Sequence, residues 1–243
     1  MLTSLEQRQL EGELMDDPAI DRRAHRAALC GLRRINRMSR TAAALWPPIA
    51  RIARAKRGGT LSVLDIATGG GDVAIDLVRR ARREGLALDV HACDISATAL
   101  RFAAEQAECA DTNVRFFHLD VLAEAPPARY DVITCTLFLH HLSDAQIVAL
   151  LKTLAAHANH LVISDLIRNR SGYGLAYLGT RLLSASRIVH VDGMRSVRAA
   201  LALTEARELA ARAGLDNASF TRHWPSRFML TWSRDAIPQA GRS

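Results

Sequence analysis

Lysine is almost missing from this chain. Of its 32 basic residues only Lys56 and Lys152 are lysines; the rest are arginines. So extreme a bias reflects the base composition of the coding DNA better than a phosphate-binding surface. The arginines are also dispersed, with loose concentrations from Arg33 to Arg57 and from Arg168 to Arg198. Aromatic residues make up 5%, and no basic stripe interleaved with aromatics is present. Nucleic-acid binding is therefore not expected, despite the net charge of +7. Cysteine is scarce as well. Cys30, Cys93, Cys109 and Cys135 form no CxxC pair, which argues against a zinc site, and no metal is expected. The thiols read as small apolar groups in a reducing compartment. No apolar run approaches the roughly 20 residues that cross a bilayer. The opening MLTSLEQRQLEGELMDD lacks the basic-then-apolar order of a secretory signal. A cytoplasmic protein without a membrane span, internal repeat or low-complexity segment is expected.

What is present divides into two textures. Residues 1–57 read as an N-terminal helical lid with no strand signal. In DPAIDRRAHRAALCGLRRINRMSR, Ala28, Leu32, Ile35 and Met38 recur at helical spacing after an acidic cap. TAAALWPPIARIARAKRGG reads as a second helix, interrupted by Pro47 and Pro48 and stopped by Gly58 and Gly59. Residues 58–243 form the second unit. There LSVLDIA, LALDVHACD, VRFFHLDV, YDVITCTLF and HLVISDLI are short apolar strand candidates separated by amphipathic helices, with Ser96 and Ser143 or Asp144 as caps. Apolar strands alternating with helices predict a parallel sheet covered on both faces. Residues 167–201 break the alternation and read as a helical insertion that caps a substrate. A short helix, TEARELAARAGL, follows. ASFTRHWPSRFMLTWSR then reads as two antiparallel strands turning near Pro225. The expected fold is α/β: a Rossmann-like, mostly parallel seven-stranded sheet closed by an antiparallel hairpin.

In VLDIATGGGDVAIDL, residues 63–77, a strand runs through a glycine-rich turn into a helix. Glycine lets a ligand approach the backbone, and the helix start offers free N–H groups. Gly69, Gly71 and Ala74 fit the loose dinucleotide pattern G-x-G-x-x-G/A. Three acids change the reading. Asp65 precedes the turn, Asp94 closes the next strand, and Asp120 closes the third. They stand at the carboxyl edge, where open α/β sheets bind ligands. A pyrophosphate would be repelled by the acid beside the turn, whereas a cationic nucleoside would be held. Asp94 suits two ribose hydroxyls, Asp120 an adenine amino group, and Asp65 an amino-acid ammonium.

This ordered set, VLDIATGGGD, CDIS, HLDV, YDVITCTLFLHHL and the closing hairpin, resembles the class I S-adenosylmethionine-dependent methyltransferases over roughly residues 60–235. DIATGGGDVAIDL and LFLHHL look most like the small-molecule members, including those of ubiquinone and menaquinone biosynthesis. Ala67 stands where the family usually has its first glycine, as in quinone-type members. The resemblance implies S-adenosyl-L-methionine as cofactor. It implies that Ala67, Gly69 and Gly71 pass under the methionine portion, that Asp94 with Ile95 holds the ribose, that Asp120 with Val121 borders the adenine, and that Thr136 passes near the sulfonium. Asp72 reads as a plain helix N-cap and Asp131 as a solvated strand start.

Methyl transfer is an in-line displacement that needs alignment and a dry site. A hydroxyl acceptor also needs help with its proton, and His140 and His141 follow the fourth strand, where the acceptor meets the cofactor. Asn36, Tyr173, Tyr177 and His190 are candidate substrate contacts; Tyr173, Tyr177 and Arg181 share one helical face. The Asp/Asn-Pro-Pro-aromatic run of amino-group nucleic-acid methyltransferases is absent after the fourth strand. The expected function is methylation of a small, apolar or aromatic metabolite of secondary metabolism. O-methylation of a phenolic or polyketide-like ring is favoured over C-methylation of a quinone precursor. A nicotinamide-dependent oxidoreductase and a catalytically silent adenosyl-binding protein are the alternatives of other classes. The expected partner is a small-molecule substrate, and the chain is expected as a monomer or homodimer.

Overall fold

A computed structural model describes residues 5–17, 19–56 and 58–235. Seven strands form one sheet: β1 (Leu61–Ile66), β2 (Leu88–Asp94), β3 (Val114–His118), β4 (Tyr130–Thr136), β5 (Ala158–Leu166), β6 (Ser219–His223) and β7 (Arg227–Ser233). Their order is β3-β2-β1-β4-β5-β7-β6. The first five are parallel, and β7 runs antiparallel between β5 and β6. Because β1 is flanked by β2 and β4, the strand order reverses there. A crevice opens at the carboxyl edge of such a reversal. Strand β3 stops at His118, so Asp120 lies just beyond the strand and not at its last position.

The helices are α1 (Arg22–Met38), α2 (Thr41–Ala55), α3 (Asp72–Arg83), α4 (Ala97–Cys109), α5 (Asp144–His157), α6 (Arg170–Leu183), α7 (Arg187–Ala199) and α8 (Leu203–Arg212). On one face of the sheet, Leu45 and Ile49 of α2 and Leu77 of α3 bury against Val63, Val90 and Val132. On the other, Leu151 and Leu154 of α5 and Leu209 of α8 bury against Leu64, Ile133, Ile163 and Leu230. Each such side chain contributes about 1.5–3 kcal/mol on leaving water. Burial on both faces is why β1, β4 and β5 read as apolar runs without alternation.

The two N-terminal helices do different jobs. α2 belongs to the core that covers the sheet. α1 stands over the carboxyl edge and packs with α6 and α7. The expected interruption at Pro47 and Pro48 does not occur: α2 runs unbroken from Thr41 to Ala55 with both prolines inside. An internal proline costs about 3 kcal/mol. Here Leu45, Trp46 and Ile49, all buried, hold the helix to the sheet and outweigh that local preference. Ser96 and Ser143 cap α4 and α5 as expected, Ser143 in a capping box with Gln146. For α3 the expectation fails. Gly71 is the N-cap, with no side chain to make a cap bond, and Asp72 is the first helical residue. Asp131 is also not merely solvated. Its carboxylate accepts from Ser62 N–H at 2.8 Å, Ser62 Oγ at 2.9 Å and Lys56 Nζ, which ties β4 to β1.

Candidate functional site

The turn after β1 is built on left-handed backbone: Ala67 has φ 51°, Gly69 53° and Gly71 73°. Gly71 could not be anything else, since a Cβ there would lie 2.8 Å from Ala103 Cβ and 3.1 Å from the Phe116 ring. A Cβ on Gly69 would meet nothing within 4 Å, so its bareness leaves open space above the turn. Ala67 adopts the same region at a cost of roughly 1–2 kcal/mol. The Thr68 N–H donates to Cys93 O at 3.0 Å, holding the turn to β2.

The strand-end acids converge on this turn. Asp65 is buried and accepts from the hydroxyls of Thr68 and Thr134, both at 2.7 Å. Burial raises its pKa to about 6. Asp94 accepts the N–H of Gly69 and of Ser96, each at 2.8 Å, and burial raises it too. Asp94 therefore shapes the turn as well as facing its opening. Asp120 accepts from the Leu122 N–H at 3.0 Å. Asp72 reaches the Asn36 amide, and burial raises it to about 6. The helix-cap reading passed over this contact of a half-buried acid with α1.

These groups line a cavity of about 1180 Å³ together with Ala67, Ile95, Val121 and Thr136. The Thr136 hydroxyl is buried there with no partner among the described residues. Beyond Thr136 lie His140 and His141. His140 is buried; its Nδ1 pairs with Asp165 Oδ1 at 2.6 Å, and its Nε2 faces Glu13 Oε1 at 3.6 Å. Burial alone would lower its pKa, but Asp165 and Glu13 outweigh it and raise it to about 10. Asp165 and Glu13 are lowered in return, the pull of the histidines overcoming their own burial. His141 pairs with Asp16 at 3.1 Å. Ligand-type atoms of Glu13, His140 and His141 lie within 4.8 Å of one another, close enough to converge on a cation. Both nitrogens of His140 are already engaged by carboxylates, so any ion there competes with a tightly held proton.

The segment before α1 places Glu13. Arg8 donates to Ala199 O at 2.6 Å, Leu139 O at 3.1 Å and Asp144 at 3.0 Å. Asp192 accepts the N–H groups of Leu14 at 2.8 Å and Met15 at 3.0 Å. The role of Asp192 beside His190 is thus to hold this strap, and burial raises it to about 6. His190 itself pairs with Ser184 O at 2.7 Å. Tyr173 accepts from Arg198 at 3.0 Å, and Tyr177 stacks under Arg181 at 3.6 Å. None of Tyr173, Tyr177 and His190 lines the cavity, whereas Asn36 does. The cavity instead meets the opposite stripe of α6, Leu175, Leu178 and Leu182. Shared spacing located one face of α6, but only packing decides which face looks inward.

Sequence reasoning missed Glu13, Asp165 and Arg227, all in the cavity wall or against it. Asp165 carried the same signal as the other acids, an aspartate at the end of an apolar strand. Glu13 and Arg227 carried none.

With that geometry in place, comparison with known proteins is direct. The methyltransferase domain family matches residues 63–160. The matched part of the chain runs from β1 into β5. Its relatives include a ubiquinone biosynthesis O-methyltransferase of Acinetobacter baylyi, 30% identical over 118 residues, which are 48% of each chain. The protein of the same name from Alkalilimnicola ehrlichii is 32% identical over 124 residues, 50% of this chain and 48% of the relative. The chain spans about half the length of the relatives it matches. Solved structures share the fold of the methyltransferase domain across more of the chain. The plantazolicin methyltransferase BpumL with S-adenosylhomocysteine aligns at TM-score 0.57 and 17% identity, covering 85% of this chain and 74% of that one. The magnesium protoporphyrin IX methyltransferase of Synechocystis aligns at 0.55 and 17%, covering 80% and 83%.

Proposed function

We propose that this chain methylates an oxygen of a small, apolar, aromatic metabolite with S-adenosylmethionine as donor. The observation that carries the proposal is one cavity with two chemistries. Four clustered acids, Asp65 buried among them, and a bare glycine turn stand at one end, and a histidine fixed between two carboxylates at the other. The residues fit the cofactor. Gly69 leaves room over the turn, the Asp94 carboxylate keeps lone pairs for a diol, and the partnerless Thr136 hydroxyl lies between the two ends. When bound, S-adenosylmethionine would supply an electrophilic methyl group on a sulfonium. Asp65 and Asp72 would hold its cationic portion, Asp94 with Ile95 the ribose, and Asp120 with Val121 the base.

At the other end, the charged state of His140 redefines its role. An imidazolium with a pKa of about 10 is a donor at neutral pH, not a free base. It donates from Nε2 to the acceptor oxygen and stabilises the anion as it forms. Glu13, within 3.6 Å of Nε2, is the nearest carboxylate to receive the hydroxyl proton. Leu32, Ile35, Leu175 and Val197 give this end apolar walls, which suit a greasy ring and exclude water. The names of the quinone-pathway relatives also support transfer to oxygen. Asp65 beside the turn disfavours the pyrophosphate of a nicotinamide cofactor. No described helix is long and apolar enough to cross a membrane.

The deciding experiment is transfer of label from S-adenosylmethionine into a native metabolite extract, with the product identified. A labelled aryl methyl ether is expected. Label on ring carbon would move the reading to C-methylation. Cofactor binding with no transfer would leave a silent adenosyl-binding protein. Thermal stabilisation by NAD and not by S-adenosylhomocysteine would overturn the reading altogether.

A further inference from the structure

Arg227 opens β7 at the carboxyl edge and is 2% exposed, yet it lines the cavity. Nη1 donates to the Thr41 hydroxyl, while Nε is buried with no partner among the described residues. A guanidinium carries five N–H donors in a rigid fork, and a buried one left short of acceptors is costly. Asp165 and Asp72 act on it through space. Thr41 in turn donates to Asn36 Oδ1 at 3.3 Å, and Asn36 reaches Asp72. One polar wall therefore runs from Arg227 through Thr41 and Asn36 to the first residue of α3. A cation with unused donors stands at one end of it. At the other end are Asp65, which is buried, and Asp72, which is half-buried, neither of them in an ion pair among the described residues. That is the complement of an α-amino-acid zwitterion.

We propose that Arg227 anchors the carboxylate of the cofactor's methionine portion, while Asp72 and Asp65 take its ammonium. The inference rests on S-adenosylmethionine being the cofactor. Two features support Arg227 over other cations. Among the described residues lining the cavity, the only other arginine is Arg22, at the exposed first turn of α1. The guanidinium fork also matches a carboxylate in two parallel hydrogen bonds, which a lone imidazole cannot do. A carboxylate on the acceptor could use the same donors, so the test separates the two sources.

The test is calorimetric binding of S-adenosylhomocysteine and of its decarboxylated counterpart, S-adenosyl-3-thiopropylamine, without acceptor. Wild-type protein should prefer the carboxylate-bearing ligand by on the order of 10- to 100-fold. Arg227→Met should erase most of that preference while leaving the decarboxylated ligand within about 3-fold of wild type; Arg227→Lys should keep part of it. Equal affinity of wild type for the two ligands overturns the proposal without any variant, so a fold defect in Arg227→Met does not leave it open. An unchanged preference in a folded Arg227→Met also overturns it, and an accompanying rise in acceptor KM would assign Arg227 to the acceptor. Failure of wild type to bind either ligand would instead remove the cofactor reading itself.

Discussion

The cavity floor and its roof differ in charge along whole stretches of chain. The floor, at the carboxyl edge of the sheet, gathers Asp65, Asp72, Asp94 and Asp120 around one turn. The stretches that supply α1 and α6 of the roof hold no acid. From Arg22 to Leu64 there are eleven Lys and Arg and no Asp or Glu, and residues 166–191 hold four Arg and again no acid. The roof turns its apolar side chains inward or to the rim, where Met38, Leu178, Leu182 and Trp224 are exposed. Between floor and roof lies the Asp165–His140–Glu13 group, in which one imidazole stands between two carboxylates. The contrast teaches a division of labour. Under the proposed function, the concentrated negative charge below would select the cationic cofactor, and the apolar surface above would admit a neutral acceptor.

The sharpest way to break this division is Asp94→Ala. S-adenosylhomocysteine affinity should fall by more than about 100-fold in calorimetry, since the turn loses its Gly69 tie along with the ligand's partner. Unchanged affinity would take the cofactor away from the floor. Next, His140→Gln should cut kcat by roughly 10²–10³-fold while cofactor affinity stays within about 2-fold. A parallel loss of cofactor binding would show that the two ends are not separate. Glu13→Gln should cost less, about 10-fold in kcat, because His140 keeps Asp165.

The floor should also announce itself in pH. Asp65 and Asp72 have pKa values raised to about 6 from 3.8, so they are ionised above that pH and neutral below it. Ionised carboxylates hold a cation, so S-adenosylhomocysteine affinity should fall as pH drops from 7.5 to 5. Without ligand the sign for stability is opposite. Acids raised by burial destabilise the fold as pH climbs from about 4 through 6, so their contribution should lower the melting temperature across that window. His140 runs on another range: raised to about 10 from 6.5, its contribution is complete below about 6.5 and fades as pH rises through 10. The smallest expected effect is at Tyr177, outside the cavity, where Tyr177→Ala should leave acceptor KM within about 2-fold. A larger shift would return that face of α6 to the substrate.

Much of the floor could be read from the chain because it is assembled from local signals. An apolar strand, an aspartate at its end and a glycine turn before a helix recur within a few residues of one another. Their place at a sheet edge follows from the fold class. Asp165 shows that the signal extended further than it was applied. Asp72 shows its limit, since an acid at a helix start reads as a cap unless its burial is known. The roof was much less legible. Helical spacing put Tyr173, Tyr177 and Arg181 on one face of α6, and only packing against α1 and α7 decided which face looks inward.

The sequence by itself determined the strand–helix alternation, the seven strands, the glycine turn and three of the acids around it, because period, polarity and glycine act over a single turn or strand. The tertiary structure alone decided that two prolines could sit inside α2, that Glu13 and Asp165 clasp His140 from opposite sides, and that Arg227 meets Asn36 through Thr41. Those pairings join residues far apart in the chain. Their energies depend on burial and distance, which no local pattern encodes.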